Sequence, residues 1–169
     1  MFWKDGTARH HQDRPRTHYA GAIYGSLLAA SVIAGAGAYA PAPRLGLVVL
    51  ILATGIVFWA VHVYVRLAGE RVPGQSLTWA EVRVVARHEW PMVQAAVPPV
   101  VAVAISSLLD LGLAATAWFA LGVALAEQVG WATVAAARAG ASRRGMALSG
   151  LVNLVLGLII VAAKSAVHR

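Results

Sequence analysis

The sequence predicts an all-α membrane protein: a bundle of five transmembrane helices, with a short amphipathic interfacial helix between spans two and three. Three observations lead there. The chain of 169 residues is 59% hydrophobic and only 12% charged, with a mean hydropathy of +0.68. A soluble domain carries about a quarter charged residues. The apolar residues fall into stretches near the ~20 residues that cross a hydrocarbon layer. The 14 Lys and Arg residues are concentrated in the segments between those stretches, as the positive-inside rule requires of cytoplasmic loops.

The first 17 residues, MFWKDGTARHHQDRPRT, are basic and rich in helix breakers, and read as a cytoplasmic tail. They do not read as a signal peptide, because the apolar stretch behind them is long and lacks a cleavage site. A single transmembrane domain over 18–169 follows. Span one covers about 18–39 and stops at the Ala-Pro-Ala-Pro stretch 40–43, since proline has no amide hydrogen and disfavours helix before it. Span two covers about 45–67 and stops in Gly69-Glu70-Arg71-Val72-Pro73-Gly74.

The segment at about 78–90 is less apolar. Thr78-Trp79-Ala80-Glu81 has the spacing of a capping box, with Leu77 and Val82 placed as a hydrophobic staple. Arg83 and Arg87 lie on one face and Trp79, Val82 and Val85 on another. That pattern fits a helix lying on the membrane surface; the alternative is a cytoplasmic extension of the third span. Span three covers about 91–109 and begins with Pro91, a good first-turn residue. Asp110-Leu111-Gly112 makes a tight turn into span four, about 113–137. The basic loop Arg138 to Gly145 leads into span five, about 146–167.

Charge tests the count. With five spans and a cytoplasmic N-terminus, the inside holds Lys4, Arg9, Arg14, Arg16, Arg66, Arg71, Arg83, Arg87, Arg138, Arg143 and Arg144, and the outside only Arg44, Lys164 and Arg169. Merging spans three and four would place Arg138, Arg143 and Arg144 outside and erase most of that asymmetry. The expected setting is a cell (inner) membrane, crossed several times, with the C-terminus outside. The net charge of +7 and pI near 10.8 are explained by this loop distribution, so no nucleic-acid partner is expected. The absence of cysteine excludes disulfides, thiolate metal sites and cysteine nucleophiles.

Lipid tails match leucine in polarity, so helices in a bilayer associate through close packing and polar contacts. Gly21 and Gly25 in span one, and Ser149 and Gly157 in span five, belong to small-residue stripes that let backbones approach. These stripes serve contacts within one chain or between copies.

A few intramembrane polar residues are candidates for function. Glu127 lies eleven residues before Arg138, about 16 Å into the membrane at 1.5 Å per residue. A carboxylate there costs about 2.5 kcal/mol or more on insertion scales, so it faces the bundle, finds a partner or carries a proton. Asn153 falls at similar depth. Glu127 is then either an ion or proton site or a hydrogen-bonded lock between spans four and five. Gln94 precedes Pro98-Pro99, which remove the amides that would bond the carbonyls of Gln94 and Ala95. Broken helices of this kind serve as ion sites in transporters, and also occur as plain packing kinks. His62 is either a proton or metal ligand or an interfacial hydrogen-bonding group. Arg66, Arg83, Arg87, Arg143 and Arg144 are placed to reach lipid phosphates. No nucleotide-binding, zinc-protease or nucleophile motif is present. No catalytic residue, metal or cofactor is expected, and an enzyme is not expected.

The stretch ALAEQVGWATVAAARAGASRRGMALSGLVNLVLG and the small-residue-rich AIYGSLLAASVIAGAG of span one resemble the membrane domain of the vacuolar iron transporter-like family. That resemblance implies five spans, an internal N-terminus and a helical insertion between spans two and three. The family binds metal through acidic residues and methionines in its first two spans. None lies between Tyr19 and Leu67 here, so no metal ligand carries over. The expectation is a homo-oligomeric channel or transporter for an ion or small solute, in contact with the lipid bilayer. The alternative is a non-transporting scaffold or accessory subunit of a membrane complex.

Overall fold

A computed structural model describes residues 16–36, 43–69 and 77–167. The basic tail up to residue 15, the first part of the proline turn and the stop segment at 70–74 lie outside the described residues. The described residues form seven helices: α1 (Arg16–Ala36), α2 (Arg44–Gly69), α3 (Trp79–Glu89), α4 (Pro91–Gln94), α5 (Val97–Ser106), α6 (Leu113–Arg138) and α7 (Arg143–Val167). Among the described residues every regular element is helical. Four helices, α1, α2, α6 and α7, are long and apolar enough to cross a membrane.

The third expected span is not one continuous helix. Its apolar run is divided into α4 and α5, with Ala95 and Ala96 in a turn between them. Both keep right-handed helical torsions, so the chain bends here without reversing. Prolines 98 and 99 explain the break, because the carbonyls of Gln94 and Ala95 have no amide four residues on. Ala96 N–H reaches instead to Val93 C=O at 3.0 Å, a tighter turn, and helical bonding resumes with Val100 N–H to Ala96 C=O at 3.2 Å.

Helix ends follow local chemistry. Thr78 and Glu81 form the reciprocal capping box of α3: Thr78 N–H donates to Glu81 Oε2 at 3.0 Å, and Glu81 N–H to Thr78 Oγ1 at 3.4 Å. Hydrogen bonding of the carboxylate by the Thr78 backbone N–H, and secondarily by its hydroxyl, holds the Glu81 carboxyl below its usual range. Asp110, with φ of 50°, turns the chain after α5, and Leu111 N–H closes back on Ser106 C=O at 3.1 Å. Gly140, with φ of 75°, does the same after α6, with Ala141 N–H on Ala136 C=O at 3.0 Å. Each is the six-to-one closure that satisfies orphan carbonyls at a helix end. Ser142 then caps α7, its Oγ accepting from Gly145 N–H at 3.3 Å.

α1 and α6 form the most extensive helix pair, and α4 and α5 pack between α1, α2 and α6. The core joins Ala29, Ala30 and Ile33 of α1, Leu47 and Ile51 of α2, Ala96, Ala102 and Val103 around α5, and Ala120, Leu121 and Ala124 of α6. Alanine dominates because the helices approach closely. Gly25 marks the tightest approach. A Cβ there would fall onto the Met92 carbonyl oxygen and lie 3.0 Å from both Met92 Cα and Ala95 Cβ. α7 packs mainly on α6 and leaves Leu151, Val155, Leu158 and Ile159 outward.

Candidate functional site

Glu127 lies midway along α6. Its Oε1 accepts a hydrogen bond from Trp131 Nε1 at 2.9 Å, one turn further on. The Trp131 ring in turn packs on Tyr19 at the start of α1, with centroids 6.0 Å apart. The second carboxyl oxygen, Oε2, is buried and has no hydrogen-bond donor among the described residues. A buried acceptor without a donor is costly, and ordered water or an ion is a common way such a group is satisfied.

The level of Glu127 within the bundle follows from the packing. Trp131 meets Tyr19, while the Ala120 to Ala124 end of the α6 interface shares a cluster with Ala29, Ala30 and Ile33. α1 and α6 are therefore antiparallel. One turn back from Trp131 is Glu127, and one turn on from Tyr19 is Ile23. Ile23 lies between Gly21 and Gly25, the two glycines that face Met92 and Ala95. Glu127 is thus level with the α4–α5 break, and α1 stands beside both. The break supplies backbone carbonyls deprived of helical partners, and α6 supplies a carboxyl oxygen without a donor. Each is a hard oxygen group.

Asn153, at comparable depth on α7, does not meet Glu127. It meets Gln128, which is fully buried and which inspection of the sequence did not single out. Gln128 Nε2 donates to the Asn153 carbonyl at 3.2 Å and to Asn153 Oδ1 at 3.4 Å. Asn153 Nδ2 donates to Ser149 C=O at 3.0 Å, and Ser149 Oγ to Ala132 C=O at 3.1 Å. This ladder fastens α7 to α6. Gly157 completes it, since a Cβ there would strike the end of Leu125 and come to 3.5 Å from Gln128 Oε1. The Gln128 amide orientation is determined by its partners: both are oxygens, so the nitrogen faces them and Oε1 is left buried without a donor.

The other candidates are spread through the bundle. Gln94 is exposed, Pro98 half-buried and Pro99 buried. His62 is half-buried on α2. Its Nδ1 donates to Phe58 C=O at 3.0 Å, and its ring lies 5.2 Å from that of Tyr24. Among the described residues no group of three His, Cys, Asp or Glu side chains could hold a metal ion. Arg66 Nη1 donates to Glu89 Oε1 at 2.7 Å, an ion pair that joins α2 to α3. Arg83, Arg87, Arg143 and Arg144 are exposed.

A second polar cluster, at the opposite end of the bundle, was not anticipated. Ser106 and Thr116 are fully buried. Thr116 Oγ1 donates to Ser106 Oγ at 2.9 Å, and Arg44 Nε to the same oxygen at 3.3 Å. Arg44 also donates to the Leu111 carbonyl. The cluster ties the start of α2 to the α5–α6 turn. Comparison with protein-family models, curated proteins and solved structures finds no match to this chain.

Proposed function

We propose that this integral membrane protein conducts a small cation, a proton included, past Glu127. The observation that carries the reading is the donorless Glu127 Oε2 level with the proline-broken carbonyls. In this reading α4 and α5 cross the membrane together, as a broken third span. The chain then crosses five times, with the N-terminus cytoplasmic and the C-terminus outside, and the loop arginines fall on the cytoplasmic side. A broken helix at mid-depth is the usual place for an ion site, because irregular backbone is tolerated in a bilayer only where it is buried or lines a pathway. The Arg44–Ser106–Thr116 cluster closes the outer end. The helix order is similar to that of vacuolar iron transporter-like membrane domains, whose metal ligands have no counterpart here; we take over the arrangement and not the iron. A protomer of this size encloses little space, so the proposal includes a homo-oligomer.

The test is cation and proton flux into liposomes holding the purified protein, for wild type and Glu127→Gln. Flux lowered at least about tenfold by this isosteric change, equivalent to 1.4 kcal/mol on the barrier, with assembly unchanged, is expected. Equal flux in both, or none in either, refutes it. The scaffold reading has its own support in the Ser149–Asn153–Gln128 ladder, whose polar groups are spent on helix contacts. An absence of flux with an intact assembly would favour it.

A further inference from the structure

The inference concerns α3, and rests on the embedding and orientation proposed above but not on transport. Its C-terminal half is docked. Trp59 Nε1 of α2 donates to Ala86 C=O at 2.9 Å, the Trp59 and Trp90 rings meet edge to face at 5.6 Å, and Glu89 is held by Arg66. Its N-terminal half projects beyond that dock. Leu77, Thr78, Trp79, Ala80 and Glu81 are all exposed, Trp79 by 83%, and Val84 by 68%. Trp79, Arg83 and Arg87 follow at four-residue spacing and form one outward stripe, so Trp79 sits with the arginines and not on the half-buried Val82–Val85 face where the sequence pattern places it. Neither guanidinium has a hydrogen bond or ion pair among the described residues. The nearby carboxylates are engaged elsewhere, Glu81 in the cap and Glu89 with Arg66.

An exposed tryptophan and valine beside two unpaired guanidiniums need a cover that is apolar on one side and anionic on the other. Water meets only the second need. The headgroup layer of an anionic leaflet meets both: indole rings prefer that depth, and the guanidiniums reach phosphate while their stems stay in the apolar layer. We propose that the Trp79–Arg83–Arg87 stripe is a binding surface for anionic phospholipid headgroups on the cytoplasmic face. The fixed dock on α2 holds the stripe in place, so each arginine meets phosphate without ordering the helix anew. The shared chemistry is phosphate recognition by paired arginines, and the source is lipid.

Native mass spectrometry of the full chain, titrated in detergent with phosphatidylglycerol, tests this. Wild type should bind phosphatidylglycerol in preference to phosphatidylcholine. Replacing both arginines (R83Q with R87Q) should weaken phosphatidylglycerol about thirtyfold, the effect of about 1 kcal/mol for each charge near a membrane surface. Trp79→Ala should weaken both lipids. Tryptophan emission reports whether the Trp59–Trp90 dock survives in each variant; all three substituted residues are exposed, so it should. Unchanged phosphatidylglycerol binding in the double variant, with the dock intact, overturns the proposal. So does displacement of the lipid by an equal concentration of inorganic phosphate, which would make the site one for free anions. Loss of preference here leaves the flux comparison of Glu127→Gln unaffected, so the two readings fail separately.

Discussion

Gly25 tests the packing that places the α4–α5 break beside α1. An alanine there puts its Cβ onto the Met92 carbonyl oxygen and 3.0 Å from Met92 Cα and Ala95 Cβ. Two of those three atoms are backbone and cannot rotate away, so α1 and α4 must separate. Overpacking of this kind costs about 1–3 kcal/mol. Removing glycine from a helix interior returns up to about 1 kcal/mol, leaving Gly25→Ala destabilised by up to roughly 2 kcal/mol. Gly21 supplies the control. Its nearest neighbour across the interface is Met92 N at 3.7 Å from the added Cβ, an ordinary contact, so Gly21→Ala should be neutral or stabilised by up to about 1 kcal/mol. Gly157→Ala falls between, because it meets the flexible end of Leu125. The assay is unfolding in mixed micelles with rising dodecyl sulfate, followed by tryptophan fluorescence. Gly25→Ala as stable as Gly21→Ala would mean that α1 and α4 do not approach as described, and the level assigned to Glu127 would fall with it.

Two further outcomes are expected. Gln128→Leu keeps the volume but removes the bonds to Asn153; helix-to-helix hydrogen bonds in bilayers contribute about 0.6–1.7 kcal/mol, so the same unfolding assay should show a loss near 1 kcal/mol, whereas a gain would mean that the ladder contributes nothing. The Glu81 carboxyl is held below its usual range by Thr78, so its stabilisation of α3 is complete above the unfolded value of about 4.3 and fades as pH falls through the lower folded value. Hydrogen exchange in the first turn of α3, corrected for intrinsic rates, should accelerate on acidification in wild type and show no such step in Glu81→Gln.

The all-helical character and the apolar lengths were legible because the bilayer imposes both on the sequence, whatever the tertiary contacts. The capping box at Thr78 and Glu81 was legible because it is local, and the lesion at Pro98 and Pro99 because a missing amide is a covalent fact. Partners between helices were not. Asn153 and Glu127 lie at similar depth, but one residue along a helix is a rotation of about 100°, and it is Gln128 that turns towards α7 while Glu127 bonds to Trp131 on its own helix. Arg66 looked like a phosphate ligand because its partner Glu89 lies 23 residues on, in a helix whose return path depends on the Trp59 dock. Ser106, Thr116 and Arg44 are scattered through three segments, and no periodicity links them before the helices pack.

The crossing of α4 and α5 decides between a five-span bundle with an ion site at its centre and a four-span bundle without one. Labelling single cysteines placed at each end of the otherwise cysteine-free chain, in intact cells with a membrane-impermeant reagent, reads it directly. A C-terminal cysteine modified from outside and an N-terminal one modified only after lysis are expected. Both protected, or both modified, would put the termini on one side, and the broken helix could not then span the membrane beside Glu127.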